Sequence, residues 1–302
     1  MRMNKAAGWI AIALALQLSG ARAACPPAGW DEAALERLRA EKFVLPDGAA
    51  RAALADALVA DCLADPRPQL RDELAFEALA AWMRAGALPA AQLDAMRREL
   101  TRRLAADDPS GFARPFAALS LAEIARVDRL KPFLDAGARA ELLRAAVAYE
   151  RGVRDYRGFD PVQGWRHGVA HGADLLLQLA LNPALDRAAL DQILDVVATQ
   201  IAPPGEHFYI YGESERLARP VVYAARRGLH DAAFWSSWLA ALASPAPLPS
   251  WDEAFKTRAG LARKHNTQAF VQVLYVMVRE SGDVALQQRL LPGLVEALKA
   301  LP

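Results

Sequence analysis

The chain has 302 residues, enough for one large domain with a sizeable core. Its 36 Lys and Arg residues nearly balance 35 Asp and Glu residues, and this balance argues against a surface for nucleic acid or for an anionic membrane. We therefore expect neither a nucleic-acid-binding protein nor one that docks on charged lipid.

The first 23 residues are expected to be a secretory signal peptide and not part of the fold. Arg2 and Lys5 precede a small and apolar run from 6 to 16, and small residues at 21 and 23 supply a cleavage site. The run is well short of the roughly 20 apolar residues that a membrane-spanning helix needs. We predict a soluble protein, periplasmic or secreted, that does not insert in the membrane once the leader is removed.

The two cysteines of the chain, Cys25 and Cys62, are candidates for a disulfide. An oxidising compartment would allow the bond to form and persist. Such a bond would tie the N-terminal tail to a nearby helix. The alternative is a pair of buried free thiols, which the position of Cys25 at the mature terminus makes less favourable.

The remaining residues, 24 to 302, are predicted to form a single all-helical domain. Segments rich in Ala, Leu and Arg alternate with breakers such as LPDG (45 to 48), DPRP (65 to 68) and DDPSG (107 to 111). Between the breakers the apolar residues recur at helical spacing, as they do after the N-cap candidate Asp186. Short links between amphipathic helices favour antiparallel hairpins stacked in a superhelix, a HEAT-like solenoid without a crisp repeat consensus.

Two apolar segments need a choice between strand and helix. HFYIYG (207 to 212) is short and aromatic, and we expect a brief extended loop there. FVQVLYVMV (270 to 278) is rich in β-branched residues, but its length and its neighbours favour a buried helix.

The two halves of the domain differ in chemistry. All 5 His and all 6 Tyr residues lie at or after Tyr149. The half from 24 to 148 therefore has the composition of a scaffold, and side chains suited to proton transfer, metal binding or stacking are concentrated in 149 to 302.

A polar stripe marks the segment GWRHGVAHGADLL (164 to 176). At about 100° per residue, His167, His171, Asp174 and Gln178 fall on one narrow face of a predicted inner helix, 162 to 181, that is otherwise apolar. A buried polar group without a partner costs roughly 1 to 3 kcal/mol. Other groups, from the protein or from a ligand, must therefore face this stripe.

Three interpretations of the stripe are open. His167 and His171, four residues apart, could ligate a divalent metal such as zinc, with Asp174 as a third ligand or as the acceptor that fixes a His tautomer. The stripe could instead be a hydrogen-bonded network with Arg, Tyr or Glu from adjacent helices, serving structure alone. It could also line a metal-free pocket in which a His acts as acid or base, oriented by Asp174. We favour the network and keep the other two.

Glycines at 164, 168 and 172 recur beside the stripe. Glycine in a helix costs roughly 1 kcal/mol relative to alanine, so something must approach the backbone closely there. We favour a packed neighbouring helix, and a ligand lying against the glycines is the alternative.

A second candidate element is YGESERLAR, residues 211 to 219. Ser214 is a candidate N-cap, and Glu215 would then lie in the first helical turn. Glu213 and Glu215 are the nearest downstream carboxylates that could complete a site, and Arg216 could clamp Asp174 or an anionic ligand. The alternative is an ordinary helix start with solvated charges.

Together, DYRGFDPVQGWRHGVAHGADLL (155 to 176) and YGESERLA (211 to 218) resemble the bacterial family catalogued as domain of unknown function 2785. The resemblance implies an all-helical protein but no activity. It places these residues at motif positions: Arg157, Gly164, Trp165, His167, His171, Asp174, Glu213, Glu215, Arg216 and Leu217. Ser214 departs from the acidic residue that the motif implies, which weakens a metal site that would use that acid.

The function that we expect is binding of a ligand or partner by a helical-repeat protein, with the stripe lining a polar pocket. The alternative is a hydrolase, metal-dependent or not, with His167 and His171 as ligands or as acid and base. Asp174, Glu213, Glu215 and Arg216 are the other candidate catalytic residues. A third hypothesis is a purely structural stripe beneath a concave surface that binds another protein. An enzyme needs at least one stripe residue at a cavity, whereas a scaffold can bury them all.

Overall fold

The computed structural model describes residues 25–302, so the predicted signal peptide lies outside the described residues. The described chain is mostly helical, with a single pair of two-residue strands, which confirms the all-α prediction. Its α-helices are α1 (Glu32–Ala40), α2 (Gly48–Asp61), α3 (Glu77–Arg84), α4 (Ala90–Leu104), α5 (Ala113–Leu130), α6 (Ala136–Gly152), α7 (Gly168–Ala180), α8 (Arg187–Ile201), α9 (Glu213–Arg226), α10 (Ala232–Leu242), α11 (Arg258–Arg279) and α12 (Val284–Ala300).

Four shorter elements complete the structure. A π-helical segment (Gln69–Phe76) runs directly into α3, and a 3₁₀ helix (Trp251–Lys256) precedes α11. Strands β1 (Phe159–Asp160) and β2 (Gly164–Trp165) form a small antiparallel hairpin. The segment 207 to 212 has no regular structure, and 270 to 278 lies within α11, both as expected.

Aspartates start many of the helices. Each accepts a hydrogen bond from a backbone N–H of the first helical turn, which satisfies a donor that has no partner within the helix. The capping residues are Asp31, Asp47, Asp135, Asp186, Asp231 and Asp283. The prediction for Asp186 is therefore confirmed, and its side chain accepts from Ala189 N.

The helices pack in two series. Helices α3, α5, α7, α9 and α11 contact one another in turn, and α2, α4, α6 and α8 form the second series. Helix α7 packs against α5, α6 and α9, and most of its residues are buried, as expected of an inner helix. No helix in the described residues is long and apolar enough to cross a membrane.

A disulfide joins Cys25 to Cys62 and confirms the predicted bond. Cys62 is the residue that ends α2, so the bond ties the start of the described chain to that helix. Arg67 supports the same region, because its Nη2 donates to the Cys25 carbonyl at 2.8 Å.

The predicted inner helix, 162 to 181, was placed too early. Gly164 and Trp165 form β2, His167 adopts a left-handed conformation (φ 57°, ψ 40°), and α7 begins at Gly168. Asp160 stabilises the preceding turn, since its Oδ1 accepts from Val162 N at 2.9 Å and Gln163 N at 2.7 Å. This turn fixes the chain as a hairpin although the spacing of its residues is compatible with a helix.

Candidate functional site

A cleft of about 710 Å³ holds the polar residues that the sequence singled out at the start of α7. His167 lies just before α7, His171 lies one turn into it, and Arg216 approaches from α9. The cleft is lined by Arg39, Phe43, Asp72, Glu73, Phe76, Glu77, Phe116, Leu119, Trp165, His167, His171, Tyr211 and Arg216.

His167 is held on two sides. Its Nε2 lies 3.1 Å from the carbonyl oxygen of Tyr211 and must donate, since a carbonyl only accepts. Its ring stacks on Trp165 with centroids 4.7 Å apart. Burial, and then the charge of Arg216, lower the pKa of His167 to about 4. The neutral ring therefore carries its proton on Nε2, and Nδ1 is left with a lone pair.

His171 is more deeply buried than His167. Its Nδ1 is out of contact with solvent and has no hydrogen-bond partner in the described residues. The ring meets Phe116 edge to face with centroids 5.2 Å apart. Burial, followed by His167 and Arg216, lowers the pKa of His171 well below its usual value. Both imidazoles of the cleft are thus uncharged at neutral pH.

Asp174 is paired with an arginine of α9. Its Oδ2 forms an ion pair with Nη1 of Arg216, one of the two partners that the sequence offered for this arginine. Burial raises the pKa of Asp174, and Arg216 opposes that rise. Gln178, the last residue of the stripe, accepts from Arg129 Nε at 3.3 Å. Arginines from α5 and α9 therefore satisfy the far end of the stripe.

Glu213 and Glu215 have separate environments. Glu213 is buried, and its Oε2 accepts from Tyr211 N at 2.8 Å, so the Tyr211 backbone links Glu213 to His167. Burial raises the pKa of Glu213. The side chain of Glu215 is 47% exposed, pairs with Arg219, and does not line the cleft.

Ser214 is not an N-cap. Helix α9 begins at Glu213, and Gly212 precedes it with a φ of 87°, a conformation that favours glycine. Ser214 lies in the first turn of α9, and its Oγ is buried without a hydrogen-bond partner in the described residues.

The geometry gives no support to a metal site at His167, His171 and Asp174. Among residues 25–302 no group of three or more His, Cys, Asp or Glu is arranged to hold a metal ion. One local reason is that Asp174, the third candidate ligand, is paired with Arg216.

The half expected to be scaffold contributes much of the cleft. The segment around α1 supplies Arg39 and Phe43, and the π-helical segment with the start of α3 supplies Asp72, Glu73, Phe76 and Glu77. We overlooked these residues because that half lacks His and Tyr. Glu73 and Glu77 lie four residues apart, and that spacing places both acids on one helical face, a signal that the sequence did contain.

A further residue that sequence reasoning missed is Glu150 on α6. Both of its carboxyl oxygens are buried without a hydrogen-bond partner in the described chain. Burial, and then the nearby Asp174, raise the pKa of Glu150 well above its usual value. Its position explains one of the three glycines, because a Cβ on Gly172 would overlap the Glu150 carboxyl group.

The other two glycines beside the stripe, Gly164 and Gly168, have different structural roles. Tyr149 on α6 donates to the Gly168 carbonyl at 3.1 Å, and Gly164 has a φ of 71° in the hairpin. A neighbouring helix therefore approaches the backbone at Gly168 and Gly172, as we favoured.

Comparison with known proteins identifies the family and nothing narrower. No curated protein matches the chain, and no solved structure matches it. A family model described as a protein of unknown function, DUF2785, matches residues 100–276, which include both motif segments. That match covers more than half of the chain, and the protein belongs to this family of unknown function.

Proposed function

We propose that the cleft binds a small, neutral, hydroxyl-rich molecule such as a sugar. The observation that carries this proposal is the pair of uncharged histidines beside Trp165 and the Arg216–Asp174 ion pair at one cleft. Pockets for small molecules combine apolar and aromatic walls with a few polar groups that fix orientation. Trp165, which is 37% exposed and stacked on His167, presents part of its indole ring to the cleft, where it can contact the apolar side of a sugar.

Backbone strain at the cleft supports this proposal. Lys42, Phe43 and His167 are the non-glycine residues with positive φ in the described chain, and two of them, Phe43 and His167, line the cleft. Such conformations cost about 1 to 3 kcal/mol each and cluster at functional sites. The π-helical segment that carries Asp72 and Phe76 is a second such feature, since π-helical turns are frequent at functional sites.

The charges favour a neutral ligand over an ionic one. Arg39 pairs with Glu73 at 2.7 Å, and Arg216 pairs with Asp174. Asp72 pairs with the buried Arg71 at 2.6 Å. The paired carboxylates retain lone pairs that can accept hydroxyl hydrogen bonds. Glu77 lies outside these pairs and leaves the lining with one excess negative charge, which disfavours an anion.

A panel of neutral mono- and disaccharides, titrated by calorimetry, tests the proposal. We expect saturable binding by at least one sugar, and Trp165→Ala should weaken it roughly tenfold, the effect of about 1.4 kcal/mol. Phe255→Ala is the matched control, because Phe255 is 55% exposed and lies outside the cleft. The absence of binding across the panel, or equal loss in both variants, would count against the proposal.

A hydrolase is the second candidate, favoured by the lone pair on Nδ1 of His167. That nitrogen could take a proton from the attacking water and then give it to the leaving group. Glycoside and ester substrates with a chromogenic leaving group test this candidate, and His167→Gln should lower kcat by about 10² or more. Elemental analysis of the wild type beside His167→Ala/His171→Ala tests a metal-dependent form of the same reaction.

Architecture and location belong to the same proposal. We infer that the two series of helices wind into a superhelix, whose concave side could also bind a protein partner.

We also infer export of the chain, and the Cys25–Cys62 disulfide supports an oxidising compartment. A reporter enzyme that is active only outside the cytoplasm, fused after residue 30, tests the export.

A further inference from the structure

A second, smaller pocket lies beside the hairpin and has no lining residue in common with the cleft. It has a volume of about 60 Å³, and its charged lining residues are Asp108, Arg114, Arg154, Asp155 and Arg166. Trp165 and His167 line the cleft whereas Arg166, between them, lines this pocket. The segment that carries the two aromatic rings therefore separates the two sites.

Three arginines of this pocket have no carboxylate partner in the described residues. Arg114 Nε donates to the Leu104 carbonyl at 2.9 Å, and Arg154 Nη1 donates to the Arg151 carbonyl at 2.8 Å. Arg166 donates from Nε to the Ser110 carbonyl at 3.0 Å and from Nη2 to the side-chain oxygen of Gln163. All of these acceptors are neutral, so the three positive charges are not compensated by an ion pair.

Arg166 makes this arrangement unusual because it is only 7% exposed. Its guanidinium lies over the Phe112 ring, 4.3 Å from the centroid. Buried charges are normally paired, since removing a charge from water without compensation is costly.

The two acids of the pocket are already engaged elsewhere. Asp155 forms an ion pair with Arg157, two residues further along the chain. Asp108 accepts from Gly111 N at 3.0 Å, from Arg114 N at 2.9 Å and from Ser110 Oγ at 2.7 Å. The lining therefore keeps an excess of positive charge.

We propose that this pocket binds a small oxyanion, either inorganic phosphate or the terminal phosphate group of a phosphomonoester. Guanidinium groups match the geometry of phosphate oxygens and form strong charge-assisted hydrogen bonds with them. A site of this volume holds several waters or one small anion, and it excludes a larger acid. The bound anion would lie next to Arg166 and so would hold the hairpin that carries Trp165 and His167.

The experiment is calorimetric titration of the full mature chain, freed of phosphate, with inorganic phosphate. Saturable binding with one anion per chain is expected. Arg114→Gln and Arg154→Gln should each weaken it roughly tenfold, the effect of losing one charge-assisted hydrogen bond. Arg144→Gln is the control, because it removes one exposed positive charge from α6 without touching the pocket.

Circular dichroism and the melting temperature without phosphate establish that the variants are folded. Glycerol phosphate, titrated in parallel, separates the two ligand sources: equal affinity assigns the terminal phosphate group, and a clear preference for inorganic phosphate assigns the free ion. No saturable binding would overturn the proposal and leave water as the occupant. Binding that survives in the folded Arg114→Gln/Arg154→Gln double variant would overturn it as well.

Discussion

Glu150 couples the stability of the core to pH. Burial, and then Asp174, raise its pKa well above the ordinary 4.5, so the folded chain keeps a proton that the unfolded chain releases. The contribution to stability is fully present below about pH 4.5 and is lost as pH rises through the folded pKa. Within that window the free energy of unfolding falls by about 1.4 kcal/mol per pH unit from this one group.

Glu150→Gln should therefore flatten the decline of stability with rising pH. We expect the wild type to lose more stability than the variant between pH 5 and pH 8, as measured by urea denaturation. The neutral histidines 167 and 171 contribute with the opposite sign, but they do so equally in both proteins. Glu296→Gln, on an exposed part of α12, is the control and should follow the wild type. Parallel curves for Glu150→Gln and the wild type would contradict the shifted pKa.

Gly172 is required by the same carboxyl group. Gly172→Ala would drive a Cβ into Glu150, and overpacking of this kind costs about 1 to 3 kcal/mol. Gly168→Ala is the matched control, since its Cβ would meet Tyr149 Oη at an ordinary 3.4 Å, and its effect should stay below about 1 kcal/mol.

Thermal or urea unfolding of both glycine variants measures the difference. The double variant Glu150→Ala/Gly172→Ala provides the cycle, because removal of the carboxyl group should relieve the larger part of the clash and leave the contact of the new Cβ with the Tyr149 ring at 2.9 Å. Equal stability of Gly168→Ala and Gly172→Ala would mean that α6 shifts enough to accommodate the added Cβ at little cost.

At the scale of elements, one ion pair connects α7 to α9. Asp174 and Arg216 are both partly buried, whereas Arg219 and Glu215 pair on the exposed side of α9. Arg216→Met should cost about 1 to 3 kcal/mol, because it leaves a largely buried carboxylate unpaired. Arg219→Met should cost no more than about 0.5 kcal/mol.

Chemical denaturation of the two arginine variants tests this contrast. Asp174→Asn/Arg216→Met, which removes both charges, should recover part of the loss. If Arg216→Met were as stable as Arg219→Met, the ion pair would contribute nothing to the contact between α7 and α9.

Sequence patterns predicted the regular elements well and the irregular ones poorly. Periodic apolar residues and an aspartate cap placed α8, and length placed 270 to 278 in α11. The prediction of a helix over 162 to 167 was wrong because the Asp160 turn and a left-handed His167 are compatible with the same residue spacing. The π-helical segment has no pattern of its own, since it differs from an α-helix in hydrogen bonding and not in composition.

At the scale of the molecule, the site depends on contacts that no local pattern records. The polar stripe pointed to His167, His171 and Asp174, and the second candidate element, 211 to 219, added Arg216, which the structure brings to the same cleft. The opposite wall, with Phe43 and Phe76, comes from more than 80 residues earlier in the chain. Two features bring the walls together: α5 packs against both α3 and α7, and Arg71 of the π-helical segment donates to the Gln163 carbonyl of the hairpin at 2.8 Å.

The disulfide affects the stability of the whole chain because it links the N-terminal segment to the end of α2. Cys25 and Cys62 are 37 residues apart, and a bond that closes such a loop stabilises a protein by about 2 to 4 kcal/mol, largely by restricting the unfolded chain. Cys25→Ala/Cys62→Ala should therefore unfold at a lower urea concentration than the oxidised wild type.

The same double variant should bind both the cleft ligand and phosphate as the wild type does, because neither cysteine lines either pocket. Reduction of the wild type should reproduce its loss of stability, and reduction of the variant should change nothing. If stability were equal in all four samples, the loop between the two cysteines would be ordered by α1 and α2 alone. A loss of cleft binding in the folded variant would instead mean that the bond positions Arg39 and Phe43, which lie within that loop and line the cleft.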